Sequence, residues 1–168
     1  DLRSSCYMDR LLVGDVGFGK TEVAMRAAMR AALEGYQTLF FAPTTILCKQ
    51  HYIRFLTRFS KYGVRVELLT RFQKKESKKI KEDFLAGRID ILIGTHALLS
   101  LQLTSSRVGL IVLDEEHKMG VKQKKRLREL SGQTNLLTMT ATPLPRTLNM
   151  AVLGLKDISL IEEPPTGR

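Results

Sequence analysis

Residues 14–21 read GDVGFGKT, standing between an apolar run, LLV at 11–13, and a helix-like stretch, EVAMRAAMRAALEG at 22–35. The spacing Gly-x-x-x-x-Gly-Lys-Thr in a strand, loop, helix context is the pattern of a phosphate-binding P-loop. Its glycines let the backbone curl until successive N–H groups point inward at a phosphate, and the helix that follows aims its positive dipole end at the same place. Gly14, Asp15, Val16, Gly17, Phe18, Gly19, Lys20, Thr21 and Glu22 are therefore the candidate nucleotide-binding residues. Lys20 offers a point charge for the β- and γ-phosphates of ATP. Thr21 offers a hydroxyl to Mg2+, an ion that keeps most of its waters and takes few protein ligands.

Outward from this loop, short apolar runs alternate with helical patterns. Strands are expected at 11–13, 38–42, 64–69, 89–93, 110–113 and 136–139, and helices at about 20–34, 45–60, 74–86, 123–130 and 145–152. Such alternation, with strands rich in Leu, Ile and Val, predicts an α/β fold of the P-loop NTPase kind: a mainly parallel sheet with helices on both faces. Ligands then belong at the carboxyl ends of the strands. Ala24, Ala27, Ala28, Ala31 and Ala32 suit close packing of the first helix on a sheet, and Gly35 is a natural stop. No internal repeat, low-complexity segment or interdomain linker stands out, so residues 1–168 read as one domain, with EEPPTGR at 162–168 as its exit.

A chain of 168 residues, 43% of them hydrophobic, is long enough to bury a real core. No apolar stretch approaches the roughly 20 residues a bilayer requires, and the opening DLRSSCYMDR lacks the apolar region of a signal peptide. A cytoplasmic location with no membrane partner is the expectation. Cys6 and Cys48 sit in no CxxC, which argues against a metal site or a disulfide framework. Cys48 falls in a helical apolar pattern and reads as a buried small hydrophobe. The net charge of +10 is concentrated in RFQKKESKKIK at 71–81 and HKMGVKQKKRLR at 117–128, and together these runs favour a polyanion, nucleic-acid phosphate above all. With aromatic residues at 7% and no Trp, contact with the backbone is expected rather than stacking on bases.

A second decisive stretch is GLIVLDEEH at 109–117, where a hydrophobic strand ends in carboxylates. A nucleotide-hydrolysing P-loop protein needs one carboxylate there to hold Mg2+ and the next to align and deprotonate the attacking water. Asp114 is assigned to the metal and Glu115 to the water, so that Lys20, Asp114 and Glu115 form the candidate catalytic group and Thr21 and Asp114 the candidate metal ligands. The third stretch, LLTMTATPLPRTL at 136–148, is a strand running into small hydroxyl residues able to bridge a nucleotide site to a neighbouring surface through short hydrogen bonds.

GDVGFGKT, DEEH and TATP, in this order, resemble motifs I, II and III of superfamily two DNA helicases and translocases, and APTTILCKQH at 42–51 and IGTHALL at 93–99 resemble motifs Ia and Ib. Over essentially the whole chain the resemblance is to the first RecA-like motor lobe of the bacterial transcription-repair coupling factors. RecG-type branched-DNA helicases share GDVG, GTHALL and TATPLPRTL but typically carry DEQH where Glu116 gives DEEH here. One departure is HKMG at 117–120, where both families usually read His-Arg-Phe-Gly.

The resemblance implies an ATP- and Mg2+-dependent motor that tracks along double-stranded DNA, displaces stalled RNA polymerase and recruits an excision-repair protein. It implies that His117 and the loop of Thr140, Ala141 and Thr142 link nucleotide state to DNA contact. It also places Pro43, Thr44, Thr45, Gln50, His51, Thr70, Arg71, Phe72, Gly94, Thr95, His96, Pro143, Arg146 and Thr147 toward DNA. A second RecA-like lobe of the same parent chain, supplying arginine fingers, is expected beyond Arg168, and the polymerase- and repair-binding modules outside these residues; the lobe by itself is expected to be a nearly inactive ATPase. The alternatives are a RecG-type branched-DNA helicase and a P-loop ATPase that is no motor.

Overall fold

The runs of Leu, Ile, Val and Phe that the sequence offers are too short for buried helices and form the strands of one sheet. The structure is a computed structural model that describes residues 7–70, 74–103, 107–115, 119–131, 134–141 and 157–164. Its elements follow in the order β1 (Asp9–Gly14), α1 (Lys20–Leu33), β2 (Gln37–Phe41), α2 (Thr45–Phe59), β3 (Val66–Leu69), α3 (Lys74–Leu85), β4 (Ile91–Gly94), β5 (Val108–Asp114), α4 (Val121–Ser131), β6 (Asn135–Thr140) and β7 (Asp157–Ile161). The seven strands lie in the order β3-β4-β2-β5-β6-β1-β7, and every pairing is parallel. The expected α/β sheet with helices on both faces is therefore the observed one.

Each face of the sheet carries its own apolar layer. Ala24, Met25, Ala28 and Ala31 of α1 and Cys48, Phe55 and Phe59 of α2 pack on one side, over Phe40, Ile93, Val112 and Met139. Phe84 of α3, Leu98 and Leu127 of α4 pack on the other, over Leu39, Leu92, Ile111 and Leu113. The alanines of α1 do what their size allows: Ala24 and Ala28 have no exposed surface, so the helix sits close to the strands. Phe40, Phe55 and Phe59 meet edge-on at 5.3 and 5.4 Å between ring centroids, a favoured aromatic geometry.

Two side-chain amides, Gln37 buried and Asn135 half-buried, fix the strand ends. Gln37 Nε2 donates to the carbonyls of Phe84 (2.8 Å) and Ile89 (2.6 Å), pinning the turn between α3 and β4. Asn135 Nδ2 donates to Gly109 O at 2.8 Å while its Oδ1 accepts from Met8 N at 2.9 Å, which aligns β1, β5 and β6. These bonds satisfy backbone groups that would otherwise be buried unpaired.

The expected strands and the first four expected helices form within a few residues of their predicted bounds. The helix expected at 145–152 lies outside the described residues. A 3-10 turn at His96–Ser100 and the edge strand β7 were not expected. The burial of Cys48 is as expected: it has no exposed surface, and its Sγ lies 3.8 Å from Ala42 O.

Burial pushes the Cys48 thiol up from 9.0 to about 11, with the nearby Asp114 carboxylate adding in the same direction. The unfolded thiol ionises first, so this side chain favours the folded state below pH 9 and that contribution is lost as pH climbs toward 11. At pH 8 the thiolate fraction falls about a hundredfold relative to a free cysteine. Iodoacetamide at pH 8, read by peptide mass spectrometry, is expected to label Cys48 only after denaturant is added; rapid labelling of the native protein would contradict this placement.

Candidate functional site

Because all seven strands run the same way, their carboxyl ends share one edge of the sheet, and the residues singled out by motif collect there. Gly14 closes β1. The loop beyond it turns through Gly17 and Gly19, whose φ angles of 86° and 87° lie in the left-handed region that side chains resist. Asp15 Oδ1 accepts from Val16 N (2.7 Å) and Phe18 N donates to Asp15 O (3.2 Å), holding the curl. Gly19 caps α1 with no side-chain hydrogen bond, and its carbonyl accepts from Glu22 N at 2.9 Å and Val23 N at 3.2 Å, so the helix start presents its positive end to the loop. Lys20 folds back so that Nζ donates to Gly14 O and, at 2.8 Å, to Asp15 O. Its ammonium is thus held inside the loop, where a phosphate chain on the helix axis would meet it.

Thr21 stands half-buried in the first turn of α1. Glu22 turns away from the loop. Its Oε1 accepts from Arg26 Nε at 2.9 Å and from Arg58 of α2 at 2.7 Å, so its carboxylate serves a helix-to-helix ion pair. The carboxylate of Glu22, expected among the nucleotide-binding residues, is thus engaged in a bridge between α1 and α2.

β5 is buried along Leu110, Ile111, Val112 and Leu113 and delivers Asp114 to the same edge. Only β6 separates β5 from β1, so with ordinary strand spacing the ends of β1 and β5 lie about 10 Å apart. That gap accommodates phosphate groups and a hydrated cation. Among the described residues no three His, Cys, Asp or Glu side chains form a cage for a metal. A divalent ion fitting this site would rest on one or two protein oxygens, those of Thr21 and Asp114, and on phosphate, as Mg2+ prefers.

Glu115 has φ 59°, the one non-glycine with a positive φ among the described residues. Such a conformation costs about 1–3 kcal/mol and is characteristic of functional turns. Its N–H donates to Met139 O at 3.0 Å, and its Oε1 accepts from Ala141 N at 3.3 Å. The carboxylate therefore leans toward the end of β6, where Thr140 is buried and Ala141 half-buried.

His51 corrects a sequence expectation. Expected to face DNA, it is buried on α2, with its ring 4.7 Å from that of Phe40 and Nε2 3.0 Å from Asp114 Oδ2. Its position three residues after Cys48 and four before Phe55, on the buried stripe of α2, is the signal that could have found it. Thr70 and Thr95 were likewise expected toward DNA, and both side chains are buried, because they directly follow strands covered on both faces; Gly94 is buried as the last residue of β4. Of the other residues expected at DNA, Thr44 and Gln50 are exposed and Pro43, Thr45 and His96 half-buried, all on the carboxyl-edge loops or the start of α2. Arg71, Phe72, His117, Thr142, Pro143, Arg146 and Thr147 lie outside the described residues.

The family model described as DEAD/DEAH box helicase matches residues 4–151. A transcription-repair-coupling factor of Staphylococcus aureus (strain USA300) is 48% identical over 169 aligned positions, and one of Staphylococcus haemolyticus (strain JCSC1435) is 47% identical. All of this chain is covered in both, and the chain spans 14% of the length of each. Among solved structures, RecG bound to a three-way DNA junction superposes with a TM-score of 0.83 at 38% identity, covering 100% of this chain and 23% of that one. The DUF1998 helicase MrfA bound to DNA, at 17% identity and a TM-score of 0.68 over 94% of this chain and 25% of its own, shares the fold.

Loss of the ammonium inside the loop is the direct test of the site. Lys20→Ala is expected to weaken Mg-ATP binding roughly ten- to a hundredfold, the worth of a charge-assisted contact of about 1.5–3 kcal/mol. Calorimetry giving equal affinities for the two proteins would remove Lys20 from the site.

Proposed function

This chain belongs to the DEAD/DEAH box helicase family, and on that premise we propose that it is the ATP-binding RecA-like lobe of a double-stranded-DNA translocase, one that couples ATP hydrolysis to displacement of stalled RNA polymerase and to nucleotide excision repair. The observation that carries the reading is the 48% identity to a transcription-repair-coupling factor along the whole chain.

In this reading the P-loop amides and Lys20 bind the phosphates. Thr21 and Asp114 hold Mg2+, which when bound draws charge from the phosphate oxygens. Glu115 orients the attacking water and accepts its proton. Because its carboxylate already leans on the Ala141 amide, a change at the phosphate is felt directly at the end of β6. The hydroxyl and loop residues at Thr44, Thr45 and Gln50, together with Arg146 and Thr147, supply contacts to DNA phosphates. His117 and Thr140–Thr142 carry the nucleotide state to that surface. A second lobe of the parent protein contributes the arginine that stabilises the transition state, and RNA polymerase and a repair protein bind elsewhere on it.

The likeness to RecG supports a second reading, a branched-DNA helicase lobe. The two separate by substrate: ATP-dependent release of a stalled transcription complex by the complete protein supports the first, and unwinding of a three-way junction without such release supports the second.

Glu115→Gln is expected to preserve Mg-ATP binding in the complete protein while slowing hydrolysis by at least about a hundredfold, since the amide keeps the shape but cannot take the proton. Turnover at the wild-type rate would refute the role given to this carboxylate. DNA binding is expected to be indifferent to sequence and to weaken steeply between low and physiological salt, because the contacts are cationic and hydroxyl groups on phosphate. Affinity unchanged by salt would contradict it.

A further inference from the structure

Asp114 does not stand alone at the end of β5. Its Oδ2 is 3.0 Å from His51 Nε2, and the side chains are 14% and 6% exposed, so the bond forms largely out of water. The other imidazole nitrogen, Nδ1, is buried with no hydrogen-bond partner among the described residues. A carboxylate accepts only from an N–H, so the proton of a neutral imidazole belongs on Nε2, and burying a bare Nδ1 lone pair costs less than burying an unpaired N–H. The ring itself is fixed by Phe40, at 4.7 Å and a tilt of 49°, and by its place on the buried stripe of α2.

We infer that His51 is a positioning residue for Asp114: it holds the carboxylate rotamer through Oδ2 and leaves Oδ1 to meet Mg2+. The inference rests on the reading of Asp114 as the metal ligand. Carboxylates that bind a metal are oriented by a hydrogen bond from behind, and loss of that bond typically costs ten- to a hundredfold in metal affinity. An ion taking most of its ligands from water and phosphate depends on the few protein oxygens being in place before it arrives. The same helix begins at the exposed Thr44, whose Oγ1 accepts from Leu47 N at 3.2 Å, and reaches His51 two turns later. One rigid rod therefore joins the proposed DNA-facing loop to the carboxylate of the metal site.

The test uses the complete protein and a fluorescent ADP, titrated with Mg2+ at equilibrium so that no turnover is read. His51→Leu keeps apolar bulk against Phe40 but removes the donor, and is expected to raise the half-saturating Mg2+ concentration about tenfold. Nucleotide affinity measured in chelator should be unchanged. Glutamine places an amide nitrogen near the position of Nε2 and asparagine does not reach it. His51→Gln should therefore return to within about threefold of wild type while His51→Asn behaves like the leucine variant. Both of these keep a polar side chain, so the comparison stands even where the leucine variant fails to fold. Equal behaviour of the Gln and Asn variants, or an unshifted Mg2+ dependence in His51→Leu, overturns the inference. Asp114→Asn separates the two levels: if it leaves the Mg2+ dependence unmoved, the metal-site reading itself falls, whereas a shift in Asp114→Asn without one in His51→Leu removes His51 alone.

Discussion

Parallel pairing is the constraint on which everything else in this molecule rests. A strand that runs the same way as its neighbour must be returned across the sheet by a crossover, and among the described residues the connections from β1 to β5 do so through helices or a short 3-10 segment. Two consequences follow together. The inner strands are covered on both sides and must be apolar, and every strand points its carboxyl end, with the polar residues that follow it, at the same edge. The chemistry of the P-loop, of Asp114 and Glu115 and of Ala141 is gathered by topology before any side chain makes a specific contact.

Within that edge, the polar groups are arranged as pairs that tie one element to another. Lys20 closes the loop between β1 and α1, Glu115 reaches from β5 to the end of β6, and His51 reaches from α2 to β5. The Glu115 and His51 bonds are made where water is partly excluded, so their partners are costly to leave unmatched. The strained backbone at Glu115 belongs to the same arrangement: a residue of ordinary conformation at that turn would aim its side chain elsewhere.

Much of this was legible from the chain. The P-loop spacing, the carboxylates at the end of an apolar strand and the β–α alternation are local signals whose periods and neighbours agree, and local agreement of that kind is what sequence carries well. β7 was missed because it is an edge strand: Leu160 is exposed and Ile158 only half-buried, so DISLI shows no continuous apolar run. The family resemblance places His51, Thr70 and Thr95 toward DNA, and polar residues are usually at the surface. Their burial is decided by tertiary neighbours far away in sequence, Asp114 lying 63 residues from His51. The Glu22 to Arg58 bond is of the same kind, whereas the Glu22 to Arg26 pair, at the i,i+4 spacing, was within reach of sequence.

The position of β1 carries a consequence for how the molecule comes into being. β1 pairs with β6 and β7, and Met8 is bonded to Asn135 across 127 residues and Arg10 to Ser159 across 149. On a ribosome the strand that carries the P-loop is made early and finds its neighbours late, after an interval on the order of ten seconds at common rates of synthesis. The units β2-α2-β3-α3-β4 close over much shorter distances and are free to assemble first, since loop closure favours contacts near in sequence. During that interval the most hydrophobic part of the nucleotide site, LLVG at 11–14, is an unpaired strand in search of an edge. Until β6 and β7 have been made, the strand that leads into GDVGFGKT has no partner in the sheet and offers a bare edge to a chaperone.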